Sequence, residues 1–305
     1  LTTNVTGSGN TAVGKNALRA NTASYNTAVG DIALDSNSSG SYNVAVGRNS
    51  LGANTTADAN VAVGVSALGA NTTGHSNTGL GRASLEANTT GTYNVGVGFE
   101  SLNDNDTGTS NVGIGPWSLS KCTTGDYNIG VGRSAGYNIT TGSENVAVGR
   151  NALSASTTAS GNTALGYQAL ENTTTGHSNV AVGKDALKAN TTASYNHAFG
   201  RGALIANTTG EVNIAIGNCL GANTTGGSNI GIGSNALDAN TTAANNLAVG
   251  RAALNDNTTG TQNVAIGNYT LELNVTGGYN VGMGYKALAA NTASDNTAVG
   301  WTAME

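Results

Sequence analysis

The sequence predicts an all-β chain, a parallel β-solenoid or β-roll of about eighteen coils of seventeen residues, and three observations carry that expectation. The first is a pentapeptide that recurs eighteen times in 305 residues: Asn, a residue that is mostly Val, Ile or Thr, then Ala or Gly, an apolar residue, and Gly. Its Asn stands at Asn10, Asn26, Asn43, Asn60, Asn77, Asn94, Asn111, Asn128, Asn145, Asn162, Asn179, Asn196, Asn213, Asn229, Asn246, Asn263, Asn280 and Asn296, with three spacings of sixteen and the rest of seventeen. The second is the Gly four residues later in every copy, from Gly14 to Gly300. The third is a Leu register, Leu18, Leu34, Leu51 and onward to Leu288, that marks a continuous buried stripe. So short and strict a period belongs to a solenoid whose coils stack on one another. At ~4.8 Å per coil, eighteen coils make a rod of roughly 85 Å. Residues 1–305 read as a single repeat array, with Leu1 and Glu305 falling in mid-repeat as in a portion of a longer fibre.

Asn179 to Tyr195, NVAVGKDALKANTTASY, serves as the type coil. Val180 and Val182 flank the small Ala181, period-two patterning over a β-branched run, and this predicts a short strand. Gly183 ends it, at a place where the backbone needs positive φ or a very close approach to the next coil. Lys184 and Asp185 predict a corner facing water, and Ala186 and Leu187 turn the chain inward again. The Asn-Thr-Thr-Gly segment that follows in most copies is turn chemistry, Asn bonding its local backbone and Gly supplying the left-handed conformation. A helical pair per repeat is excluded by the density of Gly, Asn and Thr. The leading Asn is expected to build a structural ladder, each amide bonding the coil above or below, because buried polar groups must be paired. Each coil offers two strand residues and one Leu as sizeable apolar groups, too few to offset the entropy of ordering seventeen residues. Backbone ladders and a shared interface are expected to supply the rest. The all-small third position suggests close approach of two backbones, which suits a homotrimeric fibre or filament.

These residues resemble a known class. Asn60 to Ser76, NVAVGVSALGANTTGHS, looks like the repeats of tail-fibre-type proteins of phages and aquatic viruses. The strand half, Asn-Val-Ala-Val-Gly, is similar to the head repeats of trimeric autotransporter adhesins. The resemblance covers essentially the whole chain. It implies a trimeric fibre or attachment surface, extracellular, on a cell surface or on a virion, with a cell-surface glycan or receptor as partner. The coils are longer than those of the adhesin heads, and the sequence shows no membrane anchor, stalk heptads or self-cleaving chaperone domain. A glycan-binding or glycan-degrading tailspike and an ice-binding solenoid are the alternative functions.

Composition narrows the choice. With 38% hydrophobic residues and a net charge of −5, the chain lacks the signature of disorder. Charged residues are only 10%, no basic run exists, and neither nucleic acid nor an anionic membrane is expected as partner. Apolar stretches such as Ile214 to Ile216 fall far short of the ~20 residues that span a bilayer. Cys122 and Cys219 are six coils apart in register, which excludes an intrachain disulfide. His75, His177 and His197 lie in separate repeats, no metal-ligand spacing occurs, and no cofactor is expected. The acid pairs Asp31 with Asp35 and Asp104 with Asp106 do not recur from coil to coil and read as solvated turn acids, not as a glycosidase pair. The absence of a convergent titratable site predicts no enzyme. Adjacent Thr-Thr at a turn, in place of Thr-x-Thr on a strand face, speaks against ice binding.

Two further features bear on recognition. Sequons at Asn4, Asn37, Asn54, Asn71, Asn88, Asn105, Asn138, Asn172, Asn190, Asn207, Asn223, Asn240, Asn257 and Asn274 read as one copied turn, with Asn268 outside it, and in a glycosylating host exposed turns of this kind are acceptors. Tyr25, Tyr42, Tyr93, Tyr127, Tyr195 and Tyr279 precede the register Asn, where they either cover a turn edge or form a platform for sugar rings. The array is expected to be irregular from Asn111 to Glu144. There Pro116 and Trp117 follow the register Gly115, Cys122 stands at the turn Asn, and Gly136 replaces the Leu, leaving a gap for Trp117 or Tyr137 to fill.

Overall fold

The computed structural model describes residue 4 and residues 6–305; the start of the first repeat at Leu1 lies outside the described residues. Its contacts form two compact units, Leu1–Thr158 and Ala159–Glu305. The first carries nine three-residue strands, β1 (Thr11–Val13), β2 (Thr27–Val29), β3 (Val44–Val46), β4 (Val61–Val63), β5 (Thr78–Leu80), β6 (Val95–Val97), β7 (Val112–Ile114), β8 (Ile129–Val131) and β9 (Val146–Val148). Each pairs in parallel with the next, in unbroken register. The second carries nine more, β10 (Thr163–Leu165) to β18 (Thr297–Val299), paired in the same way. The all-β parallel solenoid with one coil per repeat is thus the fold, and no helix occurs among the described residues.

Backbone bonds tie coil to coil outside the strands as well: Leu51 N donates to Ala67 O at 3.0 Å and Ala53 N to Gly69 O at 3.1 Å, while Ser66 N donates the opposite way, to Arg48 O at 3.0 Å. This two-way traffic depends on three left-handed residues in nearly every coil. In the coil of Asn43 they are Asn49 (φ 58°), Leu51 (φ 49°) and Ala59 (φ 58°). Left-handed geometry costs an L-residue ~1–2 kcal/mol, so the Leu stays for its side chain. The register Gly meets the other demand. At Gly81 φ is 132°, and a Cβ there would lie 2.5 Å from Gly98 O, so no side chain fits.

The strand is turned the other way from the sequence expectation. Ala181 is fully buried, while Val180 and Val182 on either side of it are only half-buried, and the same pattern runs through both units. The cause is the width of the coil. Its interior holds the fully buried Leu and two Asn amides, and the Leu of one coil packs on the third position of the next: a Cβ on Gly130 would lie 2.9 Å from Leu119 Cγ. The small third position therefore makes room for Leu inside the solenoid and does not serve close approach between chains. The branched residues are left on the outer face.

From Asn111 to Glu144 the expected backbone irregularity does not occur. Strands β7 and β8 pair residue for residue, Val112 with Ile129 and Ile114 with Val131. The gap at Gly136 is filled by neither Trp117 nor Tyr137. Ile139, standing where other coils have the turn Asn, is fully buried, and its Cδ1 would lie 3.0 Å from a Cβ at Gly136.

Candidate functional site

The corner after each strand Gly projects its side chains outward and stacks them from coil to coil. In the first unit this corner gathers Arg82, Phe99, Trp117 and Arg133. The Arg82 guanidinium lies 5.3 Å from the Phe99 ring centroid, and Phe99 meets Trp117 edge to face at 5.5 Å. The Arg133 guanidinium covers the Trp117 ring at 5.2 Å. Pro116 sets Trp117 one place further along the corner, at φ 58°, and Trp117 Nε1 donates to Glu100 Oε2 at 3.0 Å. Beyond Arg133, Tyr137 forms the far wall of a depression of about 360 Å³ floored by Ser134 and rimmed by Asn138, Asn151 and Ser154. Nearby, Lys121 Nζ sits 2.9 Å from Asp104 Oδ2, a contact that raises the lysine above its ordinary pKa.

The leading Asn row is a buried hydrogen-bonded ladder. Asn60 Nδ2 donates to Gly74 O at 3.0 Å, and Asn60 Oδ1 accepts from Asn77 N at 2.9 Å. A second row, which the sequence reading takes for an exposed turn, runs beside it. Asn54 Nδ2 donates to Asn37 Oδ1 at 2.8 Å, Asn71 Nδ2 to Asn54 Oδ1 at 2.9 Å and to Gly74 O at 2.9 Å. These are the sequon residues. Asn37, Asn54, Asn71, Asn88, Asn105, Asn190, Asn207, Asn223, Asn240, Asn257 and Asn274 are fully buried, and a glycan needs a nitrogen in solvent. Asn138 and Asn172 fall one residue short of this register, and they and Asn268 are exposed. The cue available in sequence is Ala in place of Gly after Thr-Thr and Ser, Thr, Cys or Ile in place of Asn, substitutions that mark a packed position. The row breaks at Cys122 and Ile139, and Ser156 Oγ is buried without a partner.

The two thiols are free and buried; burial pushes each up to about 12. The tyrosines before the register Asn are exposed, yet Tyr25 and Tyr42 stack on each other at 5.2 Å and 10°, and Tyr93 and Tyr195 meet His75 and His177 edge to face. Four of the six rings thus have a neighbouring ring on one side, while Tyr127 and Tyr279 have no ring contact among the described residues. Asp35 is engaged by Arg19 at 2.9 Å and Asp104 by Lys121, so the acid pairs Asp31 with Asp35 and Asp104 with Asp106 each have one member committed elsewhere. The first Thr of the turn spends its hydroxyl on the next coil, as from Thr72 Oγ1 to Thr89 O at 3.0 Å. Among the described residues no group of three metal-ligating side chains occurs, and no helix is long and apolar enough to cross a membrane.

A second depression, about 660 Å³, lies in the second unit beside Arg201, Asp185 and Asp238. It opens where the sixteen-residue coil from Asn213 loses a corner residue, and Gly202 and Gly221 leave space. Asp238 Oδ1 is occupied by Gly221 N at 3.2 Å, and Asp185 faces Lys184 and Lys188. Comparison of the chain with protein-family models, with curated proteins and with solved structures returns no match.

Proposed function

We propose that the chain is a structural shaft of an attachment fibre, extracellular or on a cell or virion surface, that self-associates through its strand face into a homotrimer or filament. The observation that supports this reading is the outer face of the strands. Two rows of mostly branched residues, for example Val61, Thr78, Val95 and Val63, Leu80, Val97, run through each unit without a single Asp, Glu, Lys or Arg, with His197, Phe199 and Met283 the unbranched members. Full burial of one such side chain gains ~1.5–3 kcal/mol at ~25 cal/mol per Å², which sets its area near ~100 Å². With Val63 39% and Ile114 40% exposed and most of the other side chains less so, two side chains per coil leave at most roughly 80 Å², and nine coils at most about 700 Å². A standard interface takes ~800 Å² from each partner, and a monomer seldom leaves so large an apolar patch bare. Copies of the same face share one coil spacing, so their rows interdigitate along the whole contact.

Sedimentation velocity tests the reading. The chain is expected to sediment as a trimer or larger species at tens of micromolar, and Val97→Asp with Val131→Asp, which places unpaired charges in the contact, is expected to give monomers with an unchanged β-type circular dichroism spectrum. A wild-type chain that stays monomeric under those conditions overturns it.

A further inference from the structure

We propose that the depression between Trp117 and Tyr137 is a binding site for a carboxylate-bearing saccharide, with Arg133 as the group that receives the carboxylate. Arg133 is exposed, and among the described residues no carboxylate lies within ion-pair distance of it. Its guanidinium is nevertheless fixed, because it lies on the Trp117 ring, and that ring is itself held by Glu100 at Nε1 and by the edge of Phe99. An Arg resting over an aromatic ring still has N–H groups to donate, and its planar fork matches a carboxylate with two parallel bonds.

The rest of the depression fits a pyranose better than a peptide. Its volume of about 360 Å³ sits at the small end of the ~300–1,000 Å³ range of small-molecule sites. Tyr137 supplies one aromatic wall, suited to the apolar face of a sugar ring, and the Ser134 hydroxyl and the Asn138 amide oxygen stand around it as partners for ring hydroxyls, the Asn138 Nδ2 being spent on Ser154 O at 2.9 Å. A peptide would need main-chain groups to pair with, but those at the site are taken: Ser134 N donates to Pro116 O at 3.1 Å, Gly136 N to Ala152 O at 2.9 Å and Asn138 N to Ser154 O at 3.1 Å. The site is also a local construction of this part of the array. Tyr137 occupies a post-Leu position that other coils fill with smaller or charged side chains, such as Gly69 and Lys188, and Trp117 a corner position where Tyr269 is the other aromatic.

The inference deepens the attachment reading and rests on it for the nature of the partner. Binding is measured on free sugars, so its failure and a failure of self-association are told apart. The chain has two tryptophans, and Trp301→Phe leaves Trp117 as the sole indole reporter in the full chain. Glucuronic acid and N-acetylneuraminic acid are titrated against its fluorescence, with glucose and N-acetylglucosamine as neutral comparisons. At least one acidic sugar is expected to give a saturable change with half-saturation on the order of 1 mM. In the same background Arg133→Gln is expected to weaken that binding roughly tenfold and Arg133→Lys by less, with Tyr137→Ala also weakening it. Arg133 is exposed, so its variants are expected to keep the wild-type melting profile and to decide the matter even if Tyr137→Ala fails to fold. No saturable change with either acidic sugar, equal binding of the neutral sugars, or an unchanged titration in Arg133→Gln would overturn the proposal.

Discussion

Gly136 and Ile139 show how a single position in this coil is decided by its neighbours. A Cβ at Gly136 would lie 2.7 Å from Leu119 Cδ2 and 3.0 Å from Ile139 Cδ1, so the Leu of the repeat and the Ile of the turn compete for one space. Gly136→Leu alone is expected to overpack the coil and lose about 1–3 kcal/mol. Ile139→Asn alone opens a gap and is expected to lose about 2–4 kcal/mol. The double variant restores the arrangement of the other coils and is expected to recover to within about 1 kcal/mol of wild type, a strong coupling that a double-mutant cycle in urea measures. The thiols offer a second test. Burial raises Cys122 and Cys219 to about 12, whereas an unfolded thiol ionises near ~8.5. Above that pH the unfolded chain releases protons that the folded one keeps, so stability falls as pH rises toward about 12, by up to ~1.4 kcal/mol per pH unit for each thiol. Urea midpoints at rising pH are expected to drop more steeply for wild type than for a Cys122→Ser, Cys219→Ser chain.

At the scale of the element, the paired Asn rows replace the large apolar core that a seventeen-residue coil has no room for. Asn60→Ala leaves the buried Asn77 N without its acceptor, while Gly74 O keeps Asn71. The expected loss is about 2–4 kcal/mol, against less than ~0.5 kcal/mol for the exposed Thr73→Ala, with thermal melts as the measurement. The same burial governs modification. In a glycosylating host, peptide mapping is expected to find glycan at Asn138, Asn172 or Asn268 and none at Asn71 or Asn240, whose amides are bonded inside the fold; glycan on folded chains at either of those two positions contradicts the arrangement.

Over the whole molecule, stability is shared among contacts between consecutive coils, and hydrogen bonds such as Leu51 N to Ala67 O reach only one coil along. Removing residues 60–76 takes out one entire repeat and joins Ala59 to Asn77 in the correct register. Such a chain is expected to melt within a few degrees of wild type, because only one nearest-neighbour interface is lost. Removing residues 60–67 leaves only the nine residues Leu68–Ser76 between Ala59 and Asn77, too few to complete a coil, so it breaks the contact between the coils on either side and is expected to lower the melting temperature well below that of the whole-repeat deletion. Both outcomes are read by circular dichroism.

The sequence by itself determined the coil: the Asn and Gly registers set its length, the Leu register set its buried stripe, and the odd residues at Pro116, Trp117, Gly136 and Tyr137 marked the segment where the depression lies. Periodicity carries that information because stacked coils repeat each environment at a fixed spacing. Which way the strand faces was decided only in three dimensions. Val-Ala-Val alternates equally well in either sense, and it is the volume of Leu over the third position that turns Ala181 inward and Val180 and Val182 outward. The burial of the sequon asparagines is only hinted at by the Ser, Thr, Cys and Ile that replace them, since Asn-Thr-Thr reads as an exposed turn until the asparagine amides of the neighbouring coils close around it.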